Sequence, residues 1–107
     1  MKARLAAALA LVSTAVMAHG EADWIEDNKA FVGIDGHHCC SPVDCGRIPE
    51  TAVREVEPGH WIVVATGQEF REGQKGLYTS KDVTFWACKF ATDPARFRCL
   101  FVPTKGF

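Results

Sequence analysis

Five cysteines fall between residues 39 and 99 of a 107-residue chain, and they constrain this protein more than any other feature. A domain this small buries only about 60–65% of the surface its unfolded chain exposes, so its core alone leaves it marginally stable. Cysteine-rich small domains in an oxidising compartment are usually cross-linked. The predicted fold is therefore stapled by disulfides, and the question is which sulfurs pair.

The N-terminus indicates the compartment. Lys2 and Arg4 form a short basic region, Leu5 to Met17 an apolar stretch, and Val16 and Ala18 occupy the small-residue positions of a cleavage site. This is the pattern of a signal peptide, since thirteen apolar residues are too few to cross about 30 Å of hydrocarbon as a helix. The expected division is a signal peptide over 1–18 and one mature domain over 19–107, periplasmic or secreted. No cysteine stands at the cut, so no lipid anchor is expected, and no later apolar run predicts a membrane span. Losing Lys2 and Arg4 lowers the basic count from 12 to 10 against 13 acids. That acidic balance argues against a nucleic-acid partner.

Along the mature part, Glu21–Val32 reads as a short amphipathic helix, with Trp24, Ile25, Phe31 and Val32 on one broad face. Beyond Pro49 the period changes to that of strands. Val53–Val56 and His60–Ala65 flank a Pro58-Gly59 turn, and Thr66-Gly67 returns the chain through Gln68–Arg71. Leu77–Thr79, Val83–Phe90 and Phe97–Val102 complete about five short strands. The predicted class is α+β, mainly β: one N-terminal helix packed on a small antiparallel sheet of hairpins.

The hairpin centred on Asp93-Pro94 carries the sharpest register prediction. It sets Cys88 against Cys99, Phe90 against Phe97 and Trp86 against Phe101, all six on a single core face. The opposite face, with Ala87, Lys89 and Ala91 against Arg96, Arg98 and Leu100, is expected to meet water. Directly opposed cysteines lie within disulfide range, which makes Cys88–Cys99 the first expected bridge.

The segment His37-His38-Cys39-Cys40-Ser41-Pro42-Val43-Asp44-Cys45 holds most of the remaining chemistry. Ser41 fits a helix N-cap, Pro42 the first helical position and Asp44 the third, in a capping-box pattern. Cys40 and Cys45 then occupy the two staple positions, which makes Cys40–Cys45 the second expected bridge. Fifteen pairing schemes exist for five cysteines. The main competitor joins Cys39 to Cys45 and sends Cys40 to Cys88 or Cys99.

The first-choice function is an exported, disulfide-stabilised binding or structural module for a protein or small-molecule ligand, with no catalytic residues and no cofactor. One alternative is a copper or zinc protein, because imidazole and thiolate suit those ions. Its ligands would come from His37, His38 and Cys39, with His19 or His60 completing the set. Another alternative is a thiol-redox protein using Cys39. No Cys-x-x-Cys motif, phosphate-cradling glycine loop or Gly-x-Ser-x-Gly turn occurs.

Two cysteine-bearing stretches carry a resemblance: His-His-Cys-Cys-x4-Cys, followed by Phe-Trp-x-Cys and Arg-Cys-Leu-Phe. Over residues 36–102 the chain resembles a family of small exported bacterial proteins of uncharacterised function. The resemblance implies export and a shared cysteine framework.

Overall fold

A computed structural model describes residues 21–40 and 45–104. The predicted signal peptide, His19 and the Ser41–Asp44 capping frame lie outside the described residues.

The expected helix is a single turn, α1 (Asp23–Glu26). Asn28 stops it: its side-chain Oδ1 accepts from the Ala30 N–H at 2.9 Å, and its carbonyl accepts from the Phe31 N–H at 3.2 Å. A short polar side chain that bonds its own backbone two residues on favours a turn over helix. The apolar residues still reach the core. Ile25 is fully buried, and Trp24 packs edge-on against Trp86 and Phe101, with ring centroids 5.5 and 5.1 Å apart.

Among the described residues seven strands follow: β1 (Cys45–Ile48), β2 (Val53–Glu57), β3 (His60–Val63), β4 (Glu69–Arg71), β5 (Leu77–Thr79), β6 (Phe85–Lys89) and β7 (Phe97–Val102). They form a four-stranded sheet in the order β1-β6-β7-β5 and a three-stranded meander, β2-β3-β4. All pairs are antiparallel except β5 with β7. The meander turns at Gly59 and Gly67 with φ of +77° and +76°, a conformation that glycine adopts without penalty. Among the described residues, no helix is long and apolar enough to cross a membrane.

The predicted β6–β7 register holds at two of its three pairs, Trp86↔Phe101 and Cys88↔Cys99. It then slips: Phe97 faces Lys89, not Phe90, because a bulge leaves Arg98 over. An extra residue reverses the alternation, so Phe97 leaves the face of Cys99 and packs on the opposite side. Arg98 is buried as well. Its guanidinium lies 5.0 Å from the Phe90 ring centroid, and its Nε sits 3.2 Å from Asp35 Oδ2.

The expectation of one wet face holds only toward the hairpin turn, where Lys89 and Arg96 are exposed, and fails along the rest of the strands. Leu100 is fully buried and Ala87 nearly so, because the meander covers the second face with Val53, Trp61, Val63 and Phe70. The first face is covered by Ile25, Trp24 and Phe31 together with the cysteines. A strand buried on both sides loses strict alternation and reads as a nearly continuous apolar run. In β7, Phe97-Arg98-Cys99-Leu100-Phe101 are all buried. Gln68 ties the sheets together. Its Nε2 donates to the Phe97 carbonyl at 2.6 Å, and its Oε1 accepts from the Phe97 N–H at 2.8 Å. The carboxamide thus acts as a short piece of strand where the bulge interrupts pairing.

Candidate functional site

The sulfur chemistry lies on the first face of the four-stranded sheet. β1 runs beside β6 and sets Cys45 opposite Cys88. These two are bonded, with Cα atoms 4.2 Å apart. Cys39 arrives from a loop folded back on itself. Val32 bridges His38, the Gly33 N–H donates to the His37 carbonyl at 2.8 Å, and the Cys39 N–H donates to the Phe31 carbonyl at 3.0 Å. This places Cys39, fully buried, against Cys99, and the second disulfide joins them with Cα atoms 5.7 Å apart.

Both expected bridges are therefore corrected. Cys88 and Cys99 are opposed as predicted, yet each is bonded to a partner from outside the hairpin. Cys40 is not bonded to Cys45 but stands outside both bridges. The competing scheme fails too, because Cys39 joins Cys99. The missing information was β1: in the capping frame Cys45 was a helical residue, whereas it opens a strand. The redox alternative also changes residue, since Cys39 is spent in a disulfide and the thiol is on Cys40.

The five sulfurs remain close to one another. The Sγ atoms of Cys39, Cys88 and Cys99 lie within 4.8 Å of each other, and so do those of Cys40, Cys45 and Cys88. Cys88 belongs to both groups and is their junction. It is fully buried and Cys45 almost so, whereas Cys40 is half-buried.

The histidines proposed as metal ligands are dispersed. His38 is occupied at both ring nitrogens: Nε2 meets the Asn28 carbonyl at 3.0 Å, and Nδ1 accepts from the Cys40 N–H at 3.3 Å. His60 lies on β3 in the other sheet, with Nε2 2.6 Å from Glu69 Oε1. His37 sits on an exposed loop, where its N–H donates to Asp35 Oδ1. Among the described residues, the two groups of three that bring ligand atoms together contain cysteine alone. Such groups offer thiolates only once the bridges are reduced.

Two further features had little sequence signal. Asp82 lies in the short segment before β6. Its Oδ1 accepts from the Thr84 hydroxyl at 2.6 Å, the Thr84 N–H at 2.9 Å, Ser80 Oγ at 3.1 Å and Trp86 Nε1 at 3.2 Å. These bonds, the Thr84 hydroxyl first, hold its carboxyl well below the usual carboxylate range against an opposing desolvation. The Ser80-x-Asp82-x-Thr84 spacing is a hint of this turn that the strand reading passed over.

The other feature is an open groove of about 360 Å³ beside the β2–β3 turn, running to the ends of β5 and β7. Trp61, Tyr78, Pro58 and Pro103 give it apolar walls, and Glu55 and Glu72 line it as well. The Tyr78 hydroxyl is engaged elsewhere, accepting from the Val32 N–H at 3.0 Å and donating to the Val32 carbonyl at 2.7 Å. Its ring is engaged as well, stacked on Phe101 with centroids 5.6 Å apart and tilted against Phe31 at 5.0 Å, so Trp61 is the aromatic that the groove can offer a ligand. Glu55 is held toward the turn, accepting from the Gly59 N–H at 3.0 Å. The groove residues come from four strands and two turns, and no local motif links them. Neither a family model, nor a curated protein, nor a solved structure matches this chain.

Proposed function

We propose that this chain is an exported binding module, active in a periplasmic or extracellular setting, which holds a small organic cation in the groove between its two sheets. The groove is the observation that carries this reading: aromatic and proline walls with two carboxylates among its lining residues. Small-molecule sites are commonly concave and mostly apolar, with few polar groups. An aromatic ring such as that of Trp61 attracts a cation through its quadrupole, by about 0.5–2 kcal/mol. The glutamates add charge of the matching sign. Two buried disulfides suit an oxidising compartment and hold the sheet against which the meander packs. In this reading the protein binds and does not catalyse.

The test is a tryptophan-fluorescence titration with choline and with 3,3-dimethylbutan-1-ol, its neutral isostere. Saturable change with choline, absent with the neutral compound and lost in Glu55→Gln/Glu72→Gln, supports the reading. Equal responses to the two compounds, or none to choline and to benzyltrimethylammonium, contradict it.

A further inference from the structure

The geometry points to a second activity, separate from the groove: we propose that Cys40 and the Cys45–Cys88 bridge form a thiol–disulfide exchange site. Three sulfurs occupy one place, all within 4.8 Å of one another, and two of them are bonded. Cys40 is the half-buried member of the three and the one that water reaches. The nucleophile in exchange is the thiolate, and access governs its reactivity. A thiol placed against a disulfide in this way has its reaction partner already in position.

The step balances without any outside reagent. The Cys40 thiolate attacks Cys45 Sγ, the Cys40–Cys45 bond forms, the Cys45–Cys88 bond breaks, and Cys88 leaves as thiolate and takes up a proton. One thiol and one disulfide stand on each side. Burial disfavours a charged sulfur at Cys88, so the resting pairing keeps the thiol outermost and the exchanged form is a minor one. The exchange passes reactivity inward, because the Cys88 sulfur lies within 4.8 Å of both members of the Cys39–Cys99 bridge. His38 helps to fix the geometry, its Nδ1 accepting the Cys40 N–H.

The experiment is disulfide mapping of the mature chain after incubation over a range of pH. The samples are quenched in acid, alkylated and digested at low pH so that the pairing is frozen. The expected result is label mainly on Cys40 and a minor, growing share on Cys88, with a Cys40–Cys45 linked peptide. The rate of appearance should rise roughly tenfold per pH unit while the thiol is mostly protonated. In Cys88→Ser treated with oxidised glutathione as the oxidant, Cys40 and Cys45 should be joined, with Cys39–Cys99 intact as the sign of a native fold. Label confined to Cys40 at every pH overturns the proposal. So does a Cys88→Ser protein that is folded yet alkylated at both Cys40 and Cys45, or a chain whose exchange is only between molecules. Should that variant not fold, the unsubstituted chain decides alone.

Discussion

Replacing Cys39 and Cys99 together by alanine removes the bridge that closes the longer of the two loops, a separation of 60 residues. Constraining the unfolded chain over that length is worth about 4 kcal/mol at 25 °C in the chain-entropy account. The Cys45–Cys88 bridge, with a separation of 43, comes to about 4 kcal/mol by the same reasoning. A bridge across the β6–β7 hairpin would close only about a dozen residues and contribute about 3 kcal/mol. The pairing therefore predicts an asymmetry. Cys39→Ala/Cys99→Ala breaks one bridge, whereas Cys88→Ala/Cys99→Ala breaks both and leaves a domain of this size unable to fold at 37 °C. Urea unfolding followed by tryptophan fluorescence reads this out, in a Cys40→Ser background that blocks re-pairing through that residue. Equal and modest losses in the two double variants would refute the reasoning, because that is the result if Cys88 and Cys99 were joined to each other.

Three further outcomes are expected. Gln68→Ala strands a buried N–H and a buried carbonyl of Phe97 and should lower stability by about 2–6 kcal/mol, from about 1–3 kcal/mol per unsatisfied group; a loss below 0.5 kcal/mol in the same urea assay (roughly the effect of an ordinary surface change) would contradict it. Asp82 has a folded-state pKa below its ordinary value of 3.8, so its contribution is complete above that value and fades as pH falls through the lower folded one. The stability gap between the native chain and Asp82→Asn should accordingly be constant near neutrality and narrow in acid; a gap that widens on acidification would reverse the assignment. Intact mass of protein exported by a bacterial host should correspond to a chain beginning at His19, and a species retaining Met1 would remove the case for export.

Much of the sheet could be read from the sequence because its signals are local. Pro58-Gly59 and Thr66-Gly67 mark the meander turns, and the bounds of Leu77–Thr79 and Phe97–Val102 coincide with β5 and β7. The opposition of Cys88 and Cys99 followed from centring the hairpin on Asp93-Pro94. What failed was set by distant partners. Cys45-Gly46-Arg47-Ile48 has little strand character by itself and becomes β1 by pairing with β6. The capping reading of the residues before it pointed to helix. The bulge at Arg98 depends on a place for that side chain, supplied by Asp35 and Phe90 from far along the chain or across the hairpin. The second buried face depends on the meander folding over β6 and β7. The helix over 21–32 failed for a local reason: the apolar spacing was present, yet Asn28 offered the backbone a turn. Disulfide pairing is the extreme case, since each bridge joins residues more than forty positions apart and follows only from where β1 and the Cys39 loop come to rest. The groove was out of reach for the same reason.

The most direct test of this account is the disulfide connectivity of the protein, produced in an oxidising compartment, purified without reductant, alkylated at acid pH and digested there. The account predicts two linked peptides, Cys39 with Cys99 and Cys45 with Cys88, and an alkylated Cys40. A peptide linking Cys88 to Cys99 as the dominant species would contradict it, and with it the placement of β1 and of the Cys39 loop.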